Sequence, residues 1–129
     1  MYFWKNNVKN PIKMKKILIV DDSSSNVLLL QNFLEEEGYV TEVAFSGKEA
    51  LKLAKQFTPD LILLDLMMPD LNGLEVIQRL EMQVPIIMVS ANRDSQLIED
   101  ARSLGVKSYV QKPIDFDEIL QEITKNIVA

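Results

Sequence analysis

The chain has 129 residues, of which 47% are hydrophobic and 26% are charged, and its formal net charge is −5. These values are typical of one soluble globular domain, and the negative charge disfavours binding to nucleic acid or to an anionic membrane. The sequence contains neither cysteine nor histidine, which excludes disulfides, thiolate metal sites and serine–histidine catalysis.

The first residues do not have the pattern of a folded element, because three asparagines and Pro11 interrupt an irregular apolar spacing. We expect residues 1–14 to be a flexible extension and residues 15–129 to form the domain. The first apolar run, residues 17–20, is too short for a signal peptide or a membrane span. A cytoplasmic location is therefore expected.

Short apolar runs then alternate with segments of helical periodicity. The apolar runs predict buried strands at residues 17–20, 40–45, 61–64, 86–89 and 107–111. Apolar residues at helical spacing predict helices at about residues 23–37, 46–57, 74–80, 94–104 and 116–127. Two apolar stripes, Leu97, Ile98 and Leu104 and then Ile119, Ile123 and Ile127, are predicted to face the core. This alternation predicts an α/β fold, in which a doubly wound parallel sheet has helices on both faces.

Polar side chains stand where four of the predicted strands end. Asp21 and Asp22 follow the first strand, Asp65 the third, Ser90 the fourth and Lys112 the fifth. The carboxyl ends of parallel strands meet at one crevice of a doubly wound sheet, so these side chains are expected to converge. Each of these residues, taken alone, could be an ordinary helix cap or surface residue. Unrelated structural reasons for a polar residue at all four strand ends are improbable.

Three carboxylates in one crevice repel one another unless a cation is present, and a set of oxygen ligands suits Mg²⁺. A carboxylate, a hard cation, a lysine and a hydroxyl are the groups that phosphoryl transfer requires. With histidine and cysteine absent, an aspartate is the remaining covalent acceptor, and Asp65 is the candidate.

The sequence resembles the receiver domain of two-component response regulators from residue 15 to residue 129. The resemblance rests on KILIVDDS, DLILLDLMMPDLNG, VPIIMVSA and SYVQKPID, which stand in this order. Spacing agrees as well, since 43 positions separate Asp22 from Asp65 and 22 separate Ser90 from Lys112. The resemblance implies a five-stranded, flavodoxin-like fold of the CheY-like type, with strand order 2-1-3-4-5.

The resemblance also implies roles for the residues of the acidic crevice. Asp65 would accept the phosphoryl group, and Lys112 would contact the phosphoryl oxygens. Mg²⁺, for which Mn²⁺ could substitute, would be bound by Asp22, by Asp21 directly or through water, by Asp65 and by the backbone carbonyl of Met67.

Ser90 and Tyr109 would form the switch, in which the hydroxyl moves to the phosphoryl group and the aromatic ring turns inward. The peptide bond between Lys112 and Pro113 would be cis. Met67 and Asn92, each two residues beyond a site residue, would modulate the lifetime of the phosphoryl group by controlling access of water.

The phosphodonor implied by this family is a histidine kinase or a histidine phosphotransfer protein. The resemblance implies a stand-alone signalling domain rather than a classical enzyme, although it would catalyse its own phosphorylation and dephosphorylation. Its output would be the binding of a separate effector by the face of the fourth helix, fifth strand and fifth helix. Neither nucleic acid nor membrane is an expected partner, and the protein would be a monomer or a phosphorylation-dependent homodimer.

One departure from the family pattern is a short interval of 25 positions between Asp65 and Ser90. We expect the third helix, or the loop at residues 81–84, to be shortened. This change lies away from the crevice and should affect partner contacts more than chemistry.

Three other functions fit the sequence less well. A haloacid-dehalogenase-like phosphatase also uses a strand-end aspartate and Mg²⁺, but it needs a second aspartate where this chain has Met67. A binding module that has lost phosphorylation would not need the acidic pair, Asp65 and Lys112. A flavodoxin-like mononucleotide-binding protein is disfavoured, because no glycine-rich phosphate loop follows the first strand.

Overall fold

Five strands form a single parallel sheet in the order β2-β1-β3-β4-β5 in the computed structural model, which describes residues 14–127. The strands are β1 (Lys16–Val20), β2 (Val40–Ala44), β3 (Leu61–Leu64), β4 (Ile86–Ser90) and β5 (Ser108–Gln111). The predicted fold class and strand order are thereby confirmed.

Five helices connect and follow the strands. They are α1 (Ser24–Glu36), α2 (Gly47–Phe57), α3 (Gly73–Arg79), α4 (Ser95–Ser103) and α5 (Phe116–Asn126). Side-chain caps begin four of them: Ser46 caps α2, Asn72 caps α3, Asp94 caps α4 and Asp115 caps α5. Each cap accepts a hydrogen bond from a backbone N–H that has no partner inside the helix.

The two faces of the sheet bury separate apolar clusters because side chains alternate along each strand. In β3, Leu61 and Leu63 belong to one cluster and Ile62 and Leu64 to the other, and all four are at most 1% exposed. Helices α1 and α5 cover the first face, and α2, α3 and α4 cover the second. β3 is therefore a rigid central support for whatever follows it.

One detail differs from the sequence prediction. Leu104 is not a core residue: α4 ends at Ser103, so Leu104 lies past the helical stripe and is 37% exposed. Ile127 follows α5 and is partly buried, and it packs against the apolar cluster of the first face. At the start of α1, the Ser23 amide donates to Asp21 Oδ1 at 2.9 Å, and the Ser23 hydroxyl forms no capping bond.

Helix α3 has 7 residues and is the shortest of the five helices within residues 14–127. The predicted flexible extension, residues 1–14, lies outside the described residues except for Met14. No helix within residues 14–127 is long and apolar enough to cross a membrane.

Candidate functional site

The side chains of the acidic crevice are positioned by backbone that is still bonded to the sheet. The amide of Asp65 donates to the carbonyl of Val20 at 2.9 Å, and the amide of Lys112 donates to the carbonyl of Ser90 at 3.0 Å. The amide of Asp21 bonds in the same way to the end of β2, at 3.1 Å. These three side chains therefore extend from a rigid edge rather than from a free loop.

The predicted convergence of three carboxylates is present. Asp21, Asp22 and Asp65 each place a carboxylate oxygen within 4.8 Å of the other two. Asp21 and Asp65 are only 6% exposed, whereas Asp22 is exposed. At this separation each pair of charges repels by about 3 kcal/mol if the effective dielectric constant is about 20. The cluster is therefore a site at which a cation is strongly favoured.

The ammonium group of Lys112 supplies one positive charge to this cluster. Its Nζ lies 2.7 Å from Asp21 Oδ2 and 3.3 Å from Asp65 Oδ2, and its side chain is 16% exposed. Burial by itself would lower the pKa of Lys112. The hydrogen bond to Asp21 and the charges of Asp65 and Asp21 outweigh burial and raise that pKa above its ordinary value. Lys112 is therefore cationic at neutral pH and joins β5 to β1 and β3.

The donor set fits a hard divalent cation. All three side chains offer carboxylate oxygens, and the exposure of Asp22 opens the cluster to water. Mg²⁺ prefers such ligands and retains part of its hydration shell. With one lysine against three carboxylates, the cluster still has an excess of negative charge that a cation would neutralise.

The loop after Asp65 is held close to the end of β3. The amide of Met67 donates to Asp65 Oδ1 at 3.3 Å, and the amide of Gly73 donates to the carbonyl of Leu66 at 2.7 Å. A Cβ atom at Gly73 would lie only 2.8 Å from the Asp65 carbonyl oxygen and 2.9 Å from Met88 Cε. Glycine is thus required where α3 begins directly behind Asp65.

Ser90 and Tyr109 lie on neighbouring strands and meet the same loop. Ser90 is 1% exposed, and its Oγ accepts the amide of Asn92 at 3.3 Å. The hydroxyl of Tyr109 donates to the carbonyl of Asn92 at 2.8 Å. Burial, together with the charge of Asp65, raises the pKa of Tyr109, so its hydroxyl remains a donor at neutral pH. Asn92 therefore connects the two residues predicted to form the switch.

The structure brings together Asp21, Asp22, Asp65 and Lys112, and it places Met67 two residues from Asp65 with 54% of its surface exposed. The peptide bond between Lys112 and Pro113 is cis, as predicted. Sequence reasoning missed Asp70, whose carboxylate binds the start of α2. Its partners are more than twenty positions away, and the local sequence carries no signal of such a contact.

Comparison with known proteins identifies a family. The model of the response regulator receiver domain matches residues 17–124, which is most of the chain. This range contains all of the residues of the acidic crevice as well as Ser90 and Tyr109.

Relatives that match most of this chain occur in several bacteria. Sporulation initiation phosphotransferase F of Bacillus subtilis is 34% identical over 114 residues, which cover 86% of this chain and 92% of that protein. The polar-differentiation response regulator DivK of Brucella ovis is 36% identical over 114 residues, which cover 84% and 93%. Response regulator ArlR of Staphylococcus saprophyticus is 38% identical over 112 residues, but the match covers only 51% of its length.

Solved structures agree with the sequence comparison. A CheY-like receiver domain protein from Methanospirillum hungatei superposes with a TM-score of 0.84 at 28% identity, covering 88% of this chain and 94% of that one. A two-component response regulator from Clostridium difficile gives a TM-score of 0.84 at 26% identity, with coverages of 87% and 94%.

Proposed function

Because the chain belongs to the family of response regulator receiver domains, we propose that it accepts a phosphoryl group on Asp65 and signals this state to a separate protein. The observation that carries the proposal is the position of Asp65. Its buried carboxylate lies 3.3 Å from the Lys112 ammonium and within 4.8 Å of two further carboxylates. A phosphoryl acceptor needs such a pre-positioned cation beside the nucleophile.

In the proposed reaction a carboxylate oxygen of Asp65 attacks the phosphorus of a phosphorylated histidine. The new O–P bond forms as the P–N bond breaks, and the electron pair of that bond remains on the imidazole nitrogen of the donor. This chain contains no histidine, so the donor histidine belongs to another protein, a histidine kinase or a histidine phosphotransfer protein. Lys112 would contact the phosphoryl oxygens and offset their charge.

Asp21, Asp22, Asp65 and the backbone carbonyl of Met67 would hold Mg²⁺, or Mn²⁺ in its place. When bound, the cation would neutralise charge on the phosphoryl oxygens. The carboxylates would hold the cation, and Asp21 also keeps Lys112 in place through the 2.7 Å contact. The role of this chain is thus mainly to position and to neutralise, as phosphoryl transfer requires.

The proposed output passes through Ser90 and Tyr109. A phosphoryl group on Asp65 would draw the Ser90 hydroxyl towards it and release the amide of Asn92, whose carbonyl holds Tyr109 at 2.8 Å. The face formed by α4, β5 and α5 would then present a different surface to a cytoplasmic effector protein. In this proposal the domain is a signalling module, not a classical enzyme, and the same face could join two copies in a phosphorylation-dependent homodimer.

The proposal is tested by incubating the protein with Mg²⁺ and a small phosphodonor such as acetyl phosphate, and measuring phosphoryl incorporation by intact-protein mass spectrometry. We expect the wild-type protein to be labelled and Asp65→Asn to remain unlabelled. A matched control is Asp60→Asn, because Asp60 lies at the opposite end of β3, where its carboxylate accepts the Lys16 amide at 2.8 Å. Labelling of Asp65→Asn at the wild-type level, or equal loss in both variants, would contradict the assignment.

A further inference from the structure

Asp70 binds the start of a helix to which it does not belong. Its Oδ1 accepts the amide of Gly47 at 2.9 Å, and its Oδ2 accepts the amide of Lys48 at 2.9 Å. These are the first two N–H groups of α2, which have no partners inside the helix. The local cap, Ser46, accepts a different amide, that of Glu49 at 3.1 Å. Asp70 therefore supplies hydrogen bonds that the local cap does not.

The loop also packs directly against α2 at this point. A Cβ atom at Gly47 would lie only 2.7 Å from Leu71 Cβ and 3.2 Å from the Leu71 carbonyl oxygen. Leu71 itself is 7% exposed and belongs to the apolar cluster on this face of the sheet. The carboxylate of Asp70 and the side chain of Leu71 thus fasten the same stretch of loop to the same turn of helix.

Met67 lies between two fastened points of this loop. On one side, Leu66 is 1% exposed, and its carbonyl accepts the Gly73 amide. On the other side is the contact of Asp70 with α2, while Met67 between them is 54% exposed. The position of the Met67 backbone is therefore set by its neighbours and not by burial of its own side chain.

The segment that precedes the turn bound by Asp70 is hydrogen-bonded to the strand end that carries Asp21. The Ala44 carbonyl at the end of β2 accepts the amide of Asp21, and Gly47 follows only three positions later. This short segment runs from the strand end that bonds Asp21 to the helix start that bonds Asp70. Asp70 therefore links the loop that carries Met67 to the strand end that carries Asp21. The two backbone hydrogen bonds also lower the pKa of the Asp70 carboxyl to about 2, which keeps it charged at neutral pH.

We propose that Asp70 is a positioning residue, which ties residues 66–72 to α2 and thereby holds the Met67 carbonyl in place for a divalent cation beside Asp21, Asp22 and Asp65. The inference rests on the proposed function, since it concerns the same cation site. Asp70 itself does not contact the cation. It acts through the loop, in the manner of outer residues that orient metal ligands.

The test is the affinity of the unphosphorylated chain, residues 1–129, for Mg²⁺, measured by isothermal titration calorimetry at neutral pH. We expect Asp70→Ala to raise the dissociation constant about tenfold, the lower end of the effect of removing an orienting residue. Asp70→Asn retains an acceptor oxygen for only one of the two amides and loses the charge. We expect it to raise the constant only about threefold, between wild type and Asp70→Ala.

Ser46→Ala is the matched control, because it uncaps the same helix without releasing the loop. We expect its thermal stability to fall as that of Asp70→Ala does, with a change in the Mg²⁺ constant of less than about twofold. Hydrogen exchange of the Met67 amide should be faster in Asp70→Ala than in Ser46→Ala. This measurement detects release of the loop from α2 and does not require Mg²⁺.

Each outcome decides something different. Equal Mg²⁺ constants for Asp70→Ala and Ser46→Ala would overturn the inference, because helix capping alone would then explain the effect. Equal amide exchange of Met67 in Asp70→Ala and Ser46→Ala would also overturn it, because the loop would then not depend on Asp70. A wild-type protein that does not bind Mg²⁺ would instead contradict the cation site of the proposed function.

Discussion

The two halves of the site are held by different forces. The charged half comprises Asp21, Asp22, Asp65 and Lys112, in which one ammonium group contacts two buried carboxylates. The neutral half comprises Ser90, Asn92 and Tyr109, which are joined by hydrogen bonds of 3.3 Å and 2.8 Å. Charged contacts in a partly buried crevice are worth more than neutral hydrogen bonds, whose net contribution is about 1 kcal/mol each.

This difference matches the roles that the proposed function assigns to the two halves. A group that accepts a phosphoryl must be in place beforehand, and the charged half is positioned by backbone that remains bonded to the sheet. A group that reports the event must be able to move at a small free-energy cost, and the long bond between the Asn92 amide and Ser90 is easily exchanged. We therefore expect variants of the charged half to change chemistry and variants of the neutral half to change signalling.

Lys112→Met should have the largest effect on the charged half. We expect phosphoryl acceptance to slow by about 100-fold, because a cation that offsets charge at the reacting oxygens is lost. Mg²⁺ should nevertheless bind more tightly, because the three carboxylates would no longer share an ammonium group. The two quantities are measured by labelling from acetyl phosphate and by calorimetry.

Lys16→Met provides the control, because the Lys16 ammonium lies at the opposite edge of the sheet and donates to Thr58 Oγ1 at 2.9 Å. Its acceptance rate and Mg²⁺ affinity should both be those of the wild type. Weaker Mg²⁺ binding in Lys112→Met than in the wild type would contradict the conclusion that the Lys112 ammonium and the cation compete for the same carboxylates.

Ser90→Ala should separate chemistry from signalling. We expect acceptance to fall by no more than about tenfold, since the charged half is unchanged, while the response of Tyr109 to phosphorylation is lost. The ring signals of Tyr109, followed by NMR before and after phosphorylation, measure that response. Ser95→Ala, an exposed hydroxyl at the start of α4, should leave both unaltered. A full Tyr109 response in Ser90→Ala would show that the hydroxyl does not couple the two halves.

Tyr109→Phe should have a smaller effect, confined to the neutral half. It removes the hydroxyl that donates to the Asn92 carbonyl and retains the ring. We expect the free energy of unfolding to fall by about 1 kcal/mol, measured by urea denaturation, with phosphoryl acceptance unchanged. Tyr39→Phe, at a half-buried tyrosine on the other side of the sheet, should change stability by less than about 0.5 kcal/mol.

The smallest predicted effect is on the stability of the protein at acid pH. The pKa of Asp70 is about 2 in the folded protein against an ordinary value of 3.8, so its contribution to stability is complete above that ordinary value. It is lost as the pH falls towards 2, because protonation then weakens the bonds to α2. The difference in urea midpoint between wild type and Asp70→Asn should therefore shrink over this range. A difference that stays constant down to pH 2 would contradict the low pKa.

The sheet, its helices and the residues of the site could all be predicted from the sequence. Apolar runs of the length of a strand, separated by helical periodicity, leave few alternatives to a doubly wound sheet, and parallel strands necessarily bring Asp21, Asp65 and Lys112 to one edge. These predictions succeeded because they depend on local patterns and on topology. The family resemblance then supplied roles that the residue types alone leave open.

The contacts that hold the site together could not be predicted from the sequence and are visible only in the folded chain. The contact of Lys112 with both Asp21 and Asp65, the bond from Tyr109 to Asn92 and the attachment of Asp70 to α2 all join positions far apart in the chain. Such contacts depend on distances and directions between whole elements, which periodicity does not encode. For the same reason, Leu104 was predicted to be buried, although the helix that would have buried it ends one residue earlier.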